Sequence, residues 1–349
     1  MPDSHSNLIS FTSTFVLIAM TVYLLVVGQE IFVPLVLAIL ISYLIMALSH
    51  GIQSIKIQSW IPPAWVGLIG AILIVFLAVA LIVQLVADNI NAVVQVAPQY
   101  QDRLTSVMDN MAGIIERLLG QPLTLSAVRQ DIDIQTALGS IAGALQSIAG
   151  NTFQILLYVA FLLFEQQTFD PKIKAMFADS NRERRVRKTL NEIGDKIEKY
   201  VWIKTSMSLL VGILSYVVLT FVSLDFAAFW ALLIFLLNYI PYIGSLIAVA
   251  FPTVLALLQF GSVTMFLAIL ISLAAIQVLV GNIIEPRITG QSLNLSPVFI
   301  VLSLSVWGTV WGVTGMFLSV PMMVMIMIIL AQFNQTRPIA VLMSQKGEV

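Results

Sequence analysis

A succession of apolar runs, each about 15 to 25 residues long, constrains this chain more than any other feature. The runs are Leu8 to Val27, Ile31 to Leu48, Ile61 to Val86, Asn151 to Phe164, Val201 to Val222 and Ser262 to Val280. An outer-membrane barrel needs alternating segments of about ten residues, so continuous runs of this length select helices. Charged residues make up 10% of the chain, against about a quarter in soluble domains. The expected fold class is therefore an all-α polytopic membrane protein with about six full spans. The first run lacks a basic leader and a small-residue cleavage site, and reads as a retained span.

Charge orients the spans. Glu165 to Lys204 holds ten of the 17 basic residues, which places this segment in the cytoplasm by the positive-inside rule. Counting spans from there puts both termini inside. The expected organisation is residues 1–86 as three N-terminal spans, 87–150 as an extracytoplasmic amphipathic helical segment, 151–164 as the fourth span and 165–200 as a cytoplasmic basic helical segment. Residues 201–332 form a transport core, and 333–349 a cytoplasmic tail. In the extracytoplasmic segment Leu104, Val107, Met108, Met111, Ile114, Ile115, Leu118 and Leu119 repeat at helical spacing.

The second half is interrupted. Phe226 to Leu237 and Ser245 to Leu258 flank Asn238-Tyr-Ile-Pro-Tyr-Ile-Gly244, and both arms are shorter than the roughly 30 Å of a bilayer core requires. Ser296 to Val306 and Met316 to Leu330 flank Trp307-Gly-Thr-Val-Trp-Gly-Val-Thr-Gly315 in the same manner. Gly244 and Gly315 lie 71 positions apart, and Pro252 and Pro321 lie 69 apart. Two re-entrant hairpins in an inverted repeat, with their tips near the midplane, are the expected arrangement, which is the pattern of a secondary-transport site. Asn238, Tyr239, Pro241, Tyr242, Gly244, Trp307, Gly308, Trp311, Gly312 and Gly315 are the candidate substrate-pathway residues. The four aromatics can stack on a ring-shaped solute or simply pack, and Gly308 and Gly312 permit close helix approach.

Between the two hairpins lies Gly281-Asn-Ile-Ile-Glu-Pro-Arg-Ile-Thr-Gly290. Glu285 and Arg287 are the only ionised side chains between Asp225 and Arg337, and charge at such a place must face water, protein or a partner. Pro286 disfavours a continuous helix, so the stretch reads as a helix break at an inner gate. Asp225, Asn282, Glu285, Pro286 and Arg287 are the candidates for gating or ion coupling. Glu285 and Arg287 pairing with each other and either of them engaging a ligand both stand open. Asp225 reads first as a helix N-cap.

Three motifs carry a family resemblance: Asn238-Tyr-Ile-Pro-Tyr-Ile-Gly-Ser245, Gly281-Asn-Ile-Ile-Glu-Pro-Arg287 and Trp311-Gly-Val-Thr-Gly-Met-Phe-Leu-Ser-Val-Pro321. In this order and spacing the chain resembles the autoinducer-2 exporter superfamily along its whole length. The resemblance implies a multi-span exporter of a small polar quorum-sensing molecule in the bacterial inner membrane. Sodium/proton antiport is the alternative, because some relatives carry it out. It also implies a homo-oligomer, with a pentamer as the assembly it points to.

Other classes find little support. No phosphate-binding Gly-Lys loop, zinc-protease motif or serine-hydrolase motif is present, so an enzyme is not expected. The chain has no cysteine, and His5 and His50 lack partners at metal-ligand spacing, so no metal or other cofactor is expected. No basic cluster with interleaved aromatics points to nucleic acid. A membrane scaffold or regulator acting through the cytoplasmic helix is the remaining reading, and it leaves the broken hairpins unexplained. The partners expected are a small polar solute, sodium or protons, and the lipid bilayer.

Overall fold

The computed structural model describes residues 3–54, 62–119, 139, 143, 146, 150–177, 179–289 and 294–347. The side chains of the stripe from Leu104 to Leu119, and Gly290, lie outside the described residues. The elements are helices α1 (Asp3–Val27), α2 (Gln29–Ser54), α3 (Ala64–Leu119), α4 (Thr152–Met176), α5 (Ser180–Phe221), α6 (Ala227–Leu237), α7 (Ile243–Phe260), α8 (Val263–Gln277), α9 (Glu285–Thr289), α10 (Pro297–Ala331) and α11 (Arg337–Met343). A π-helix, Val278–Ile284, joins α8 to α9.

The protein is an all-α polytopic membrane protein. Among the described residues six helices are long and apolar enough to cross a bilayer: Gln29–Ser54, Ala64–Asn89, Ser180–Phe221, Ile243–Phe260, Val263–Ile288 and Pro297–Ala331. The first and fourth apolar runs lie in α1 and α4, each 25 residues long, and α7 is also of spanning length, whereas Pro297–Ala331 consists of two arms that meet at Trp311 and Gly312.

Two segments that read as separate pieces are single helices. The apolar start of α3 continues without a break through 56 residues, about 84 Å at 1.5 Å per residue. The basic segment and the fifth apolar run are likewise one helix, the 42-residue α5.

The chain divides into two compact units. The first comprises Met1–Leu44, Phe153–Glu198 and Leu293–Val349; the second comprises Ile45–Thr152 and Lys199–Ser292.

In the first unit α10 is a hairpin rather than a rod. The expected break from Trp307 to Gly315 is confined to two residues, Trp311 (φ −130°, ψ 18°) and Gly312 (φ 61°, ψ −143°). That Gly312 conformation is open essentially to glycine alone. The arms fold back antiparallel, since Ser303 Oγ donates to Ser319 O at 2.9 Å and Gly315 backs onto Trp307 O. A short antiparallel bridge, Leu295 with Ser344, clips the segment after α11 to the base of this hairpin, with Ser296 N donating to Met343 O at 2.9 Å.

In the second unit α6 and α7 form the other hairpin. Trp230 on α6 stacks on Phe251 of α7 with ring centroids 6.2 Å apart, and Gly244 backs onto Leu237 O. In both hairpins a glycine just past the turn lies so close to a carbonyl of the first arm that a Cβ would overlap it. The two motifs thus share a construction as well as a spacing.

One expectation is overturned here. Gly281 to Thr289 is not a helix break, because the chain runs helically from α8 through the π-helix into α9. The π turn resolves the proline problem: Glu285 N donates to Val280 O, five residues back. The widened ring precedes Pro286, whose missing N–H and bulk would otherwise disrupt an α-helical turn.

Candidate functional site

The second unit gathers its polar side chains on one face of α5, where its apolar part begins. Tyr200, Lys204 and Ser208 recur every fourth residue and so stand one above another, with Thr205 beside them. Lys204 Nζ donates to both carboxylate oxygens of Glu285, at 2.8 and 3.1 Å. The side chains are 11% and 21% exposed, respectively. Thr205 Oγ1 and the Tyr239 hydroxyl share a hydrogen bond of 2.6 Å. Asn238 Nδ2 donates to Ser208 Oγ at 3.0 Å in a buried contact.

The turn of the α6–α7 hairpin and the charged end of the α8–α9 run therefore meet on the same helix. Their sequence positions concealed this, because Glu285 lies more than forty residues beyond the hairpin turn that ends at Gly244. The turn stands at Thr205 and Ser208, one to two turns from Val201. It lies near one end of the apolar stretch of α5. Antiparallel packing explains how a short arm reaches this far. Gly212 lets α6 approach at Ala231 and Phe235, and the 11 residues of α6 cover about 16 Å.

The turn itself is strained. Tyr242 adopts φ 61°, ψ −61°, with Ile243 N donating to Pro241 O at 2.6 Å. This is a γ-turn of the rarer, unfavourable hand, held by a non-glycine residue. Its ring is 58% exposed, whereas Asn238, Tyr239 and Gly244 are buried.

Among the gate candidates, Asn282, Pro286 and Arg287 are exposed and Glu285 is half-buried. Glu285 pairs with Lys204 rather than with Arg287. Lys204 is not among the sequence-based candidates because it sits at the edge of the basic segment, where a lysine reads as one more charge on a cytoplasmic helix. Asp225 does not cap α6: the N-cap is Phe226, without a side-chain cap bond. Its Oδ2 instead accepts from the Tyr100 hydroxyl at 3.0 Å. The Tyr100 pKa is pushed up to about 12 by burial first, and then by the hydrogen bond to Asp225 and its charge. Arg103 Nη1 donates to Leu258 O at 3.1 Å, the favourable place for a cation at the end of α7. Gln259 closes the hairpin base, accepting from Asp225 N at 2.8 Å and donating to Ser223 O at 3.0 Å.

The second-hairpin candidates lie in the first unit. Trp307 and Trp311 are buried with ring centroids 4.9 Å apart, so their faces are committed to packing. Trp311 Nε1 donates to Leu25 O at 2.9 Å, satisfying a carbonyl near the C-terminus of α1. Gly308 accommodates Met316 across the hairpin. Gly312 is exposed and Gly315 buried.

Three buried donors lack a hydrogen-bond partner among the described residues: the Tyr200 hydroxyl, Trp230 Nε1 and Gln277 Nε2. All belong to the second unit. No group of His, Cys, Asp or Glu suited to a metal ion occurs among the described residues.

The family model described as AI-2E family transporter matches residues 13–335. The chain is 30% identical over 321 residues to the AI-2 transport protein TqsA of Escherichia coli (strain K12), covering 91% of this chain and 90% of that protein. It is 29% identical over 326 residues to a putative transport protein of Haemophilus influenzae, covering 90% of each. A putative transport protein of Borreliella burgdorferi is 32% identical over 246 residues, 69% of this chain and 66% of that one.

Proposed function

Because this chain belongs to the AI-2E transporter family, we propose that it is a secondary transporter exporting a small polar signalling molecule, autoinducer-2 or similar, across the bacterial inner membrane. The substrate is suggested by the name of the Escherichia coli relative. The orientation, with both termini in the cytoplasm, follows from the basic residues of α5. In that orientation the α5 cluster lies at the cytoplasmic end of the pathway and serves as its inner gate.

The observation that carries the reading is the docking of the hairpin turn beside an ion pair. Asn238 and Tyr239 latch the turn to Ser208 and Thr205 by two neutral hydrogen bonds, each worth about 1 kcal/mol net. A latch of a few kcal/mol leaves the open state populated at about 0.1–10%, the range in which a solute shifts the equilibrium by binding one state better. The strained Tyr242 turn lowers the cost of release further.

Sodium/proton antiport is the second reading, favoured by the placement of Glu285. A half-buried carboxylate whose neutralising partner is a flexible lysine can exchange that partner for a proton or sodium ion. Asp225 is a poor coupling group, being exposed and engaged with Tyr100 at the hairpin base.

Proteoliposomes separate the two. Autoinducer-2 efflux and sodium-driven proton movement are measured side by side for the wild type, Glu285→Gln and Asn238→Leu. Export lost in Glu285→Gln and altered in Asn238→Leu supports the gate. Sodium/proton exchange without autoinducer-2 movement replaces the first reading by the second, and wild-type protein active in neither assay removes both.

A further inference from the structure

Tyr200 stands one helical turn before Lys204 on the same face of α5, and only 8% of it is exposed. Its hydroxyl has no hydrogen-bond partner among the described residues. Lys204, one turn further along the same face, holds both oxygens of the Glu285 carboxylate. A buried hydroxyl left unmade costs about 1–3 kcal/mol, whereas phenylalanine would fill the same volume without that penalty. Tyr200 thus keeps a hydrogen-bond donor on this face of α5 that no described residue takes up.

The surrounding chemistry defines that group. Lys204 and Glu285 cancel each other, so the cluster carries no net charge, and an ionic ligand would have to break the pair to find a counter-ion. Glu285 spends one contact per oxygen on Lys204, and a carboxylate has about four acceptor positions. Tyr200 supplies a donor. A ligand hydroxyl meets both demands at once, accepting from Tyr200 and donating to Glu285, and an adjacent hydroxyl can reach the second carboxylate oxygen.

We propose that Tyr200, Lys204 and Glu285 form a binding site for a neutral solute bearing adjacent hydroxyl groups, with Tyr200 as donor and Glu285 as acceptor. The site deepens the transport reading given above and rests on it for its place on the pathway. Thr205, which holds the Tyr239 hydroxyl on the latch, directly follows Lys204 in the chain, so the site and the docked hairpin turn are linked through neighbouring residues of α5.

The test uses the full chain in lipid nanodiscs, with saturation-transfer NMR reporting weak binding of erythritol, D-ribose and the anionic control D-erythronate. The wild type is expected to bind both neutral polyols saturably and to disfavour D-erythronate. Tyr200→Phe is expected to weaken polyol binding about tenfold, one neutral hydrogen bond, while the protein stays as stable as the wild type or becomes more so. Lys204→Met/Glu285→Gln, which removes both charges together and strands neither, is the second variant should Tyr200→Phe not fold, and a comparable weakening is expected.

Absence of saturable polyol binding by the wild type overturns the proposal. So does unchanged binding in Tyr200→Phe, the result expected if the hydroxyl meets only solvent, or equal binding of D-erythronate. The binding data alone decide the site, and wild-type autoinducer-2 export in proteoliposomes alone decides the proposed function. Either can fail while the other stands.

Discussion

Removing Lys204 tests whether the contact with Glu285 is a coupled pair or two neighbouring charges. In Lys204→Met the methylene stem is largely retained and the ammonium is lost. Glu285, with 21% of its side chain exposed, then becomes a carboxylate mostly withdrawn from water without its partner. Breaking a buried pair from one side costs about 3–5 kcal/mol, and the partial exposure here points to the lower end. Glu285→Gln leaves Lys204 stranded in the same way, with 11% of its side chain exposed. The double variant Lys204→Met/Glu285→Gln removes both charges together. Its cost is expected to be smaller than that of either single variant, giving a coupling energy of at least about 3 kcal/mol in a double-mutant cycle. Reversible unfolding in mixed micelles measures all four stabilities. If the two single effects add, with a coupling below about 0.5 kcal/mol, the pair is not a unit and the gate argument loses its anchor.

Four further outcomes follow from other parts of the fold. Gly244→Ala and Gly315→Ala each place a Cβ inside a carbonyl of the facing arm, and expression of folded protein is expected to collapse for both. Gly312→Ala has open space but a φ of 61°, so a cost of about 1–3 kcal/mol is expected. Tyr242→Gly relieves the γ-turn and is expected to stabilise the fold by about 1 kcal/mol while altering export kinetics; a loss of stability would show that ring packing outweighs backbone strain. Tyr100 has its pKa raised from near 10 to about 12, so its contribution to stability is complete below about pH 10 and is lost as pH rises towards 12. That alkaline slope is expected to be shallower in Tyr100→Phe than in the wild type, as read from unfolding midpoints between pH 9 and 12.

Much of the architecture was legible because a bilayer leaves the chain few choices. Apolar length fixed the helices, and the arms of the first hairpin fall within a few residues of their expected ends because Pro241 and Gly244 punctuate them. The second break was overestimated, since Trp307 to Gly315 is rich in glycine and aromatic residues that read as a loop. Only Trp311 and Gly312 leave helical geometry. Gly308 and Gly315 are small so that two helices can approach, a need that looks the same in sequence as a need to bend. The error at Pro286 has a different source. A proline signals a lost hydrogen bond, but sequence does not reveal that a π turn just upstream can absorb the loss.

The site was legible in its residues but not in its assembly. Asn238, Tyr239 and Glu285 were singled out for good local reasons, yet their common neighbour is α5, whose contribution is only Tyr200, Lys204, Thr205 and Ser208. Each is unremarkable in a segment that passes from basic to apolar. Their meaning comes from periodicity, because residues 200, 204 and 208 repeat every four positions, so a polar stripe enters the apolar part of the helix. A stripe of that kind in a span requires partners, and the second unit supplies them from two elements distant in sequence. This is why Asn238→Leu and Lys204→Met, on different partners of one helix, are expected to perturb the same transport step. If Asn238→Leu alters export while Lys204→Met leaves it untouched, the hairpin turn and the ion pair are independent devices that happen to share a helix.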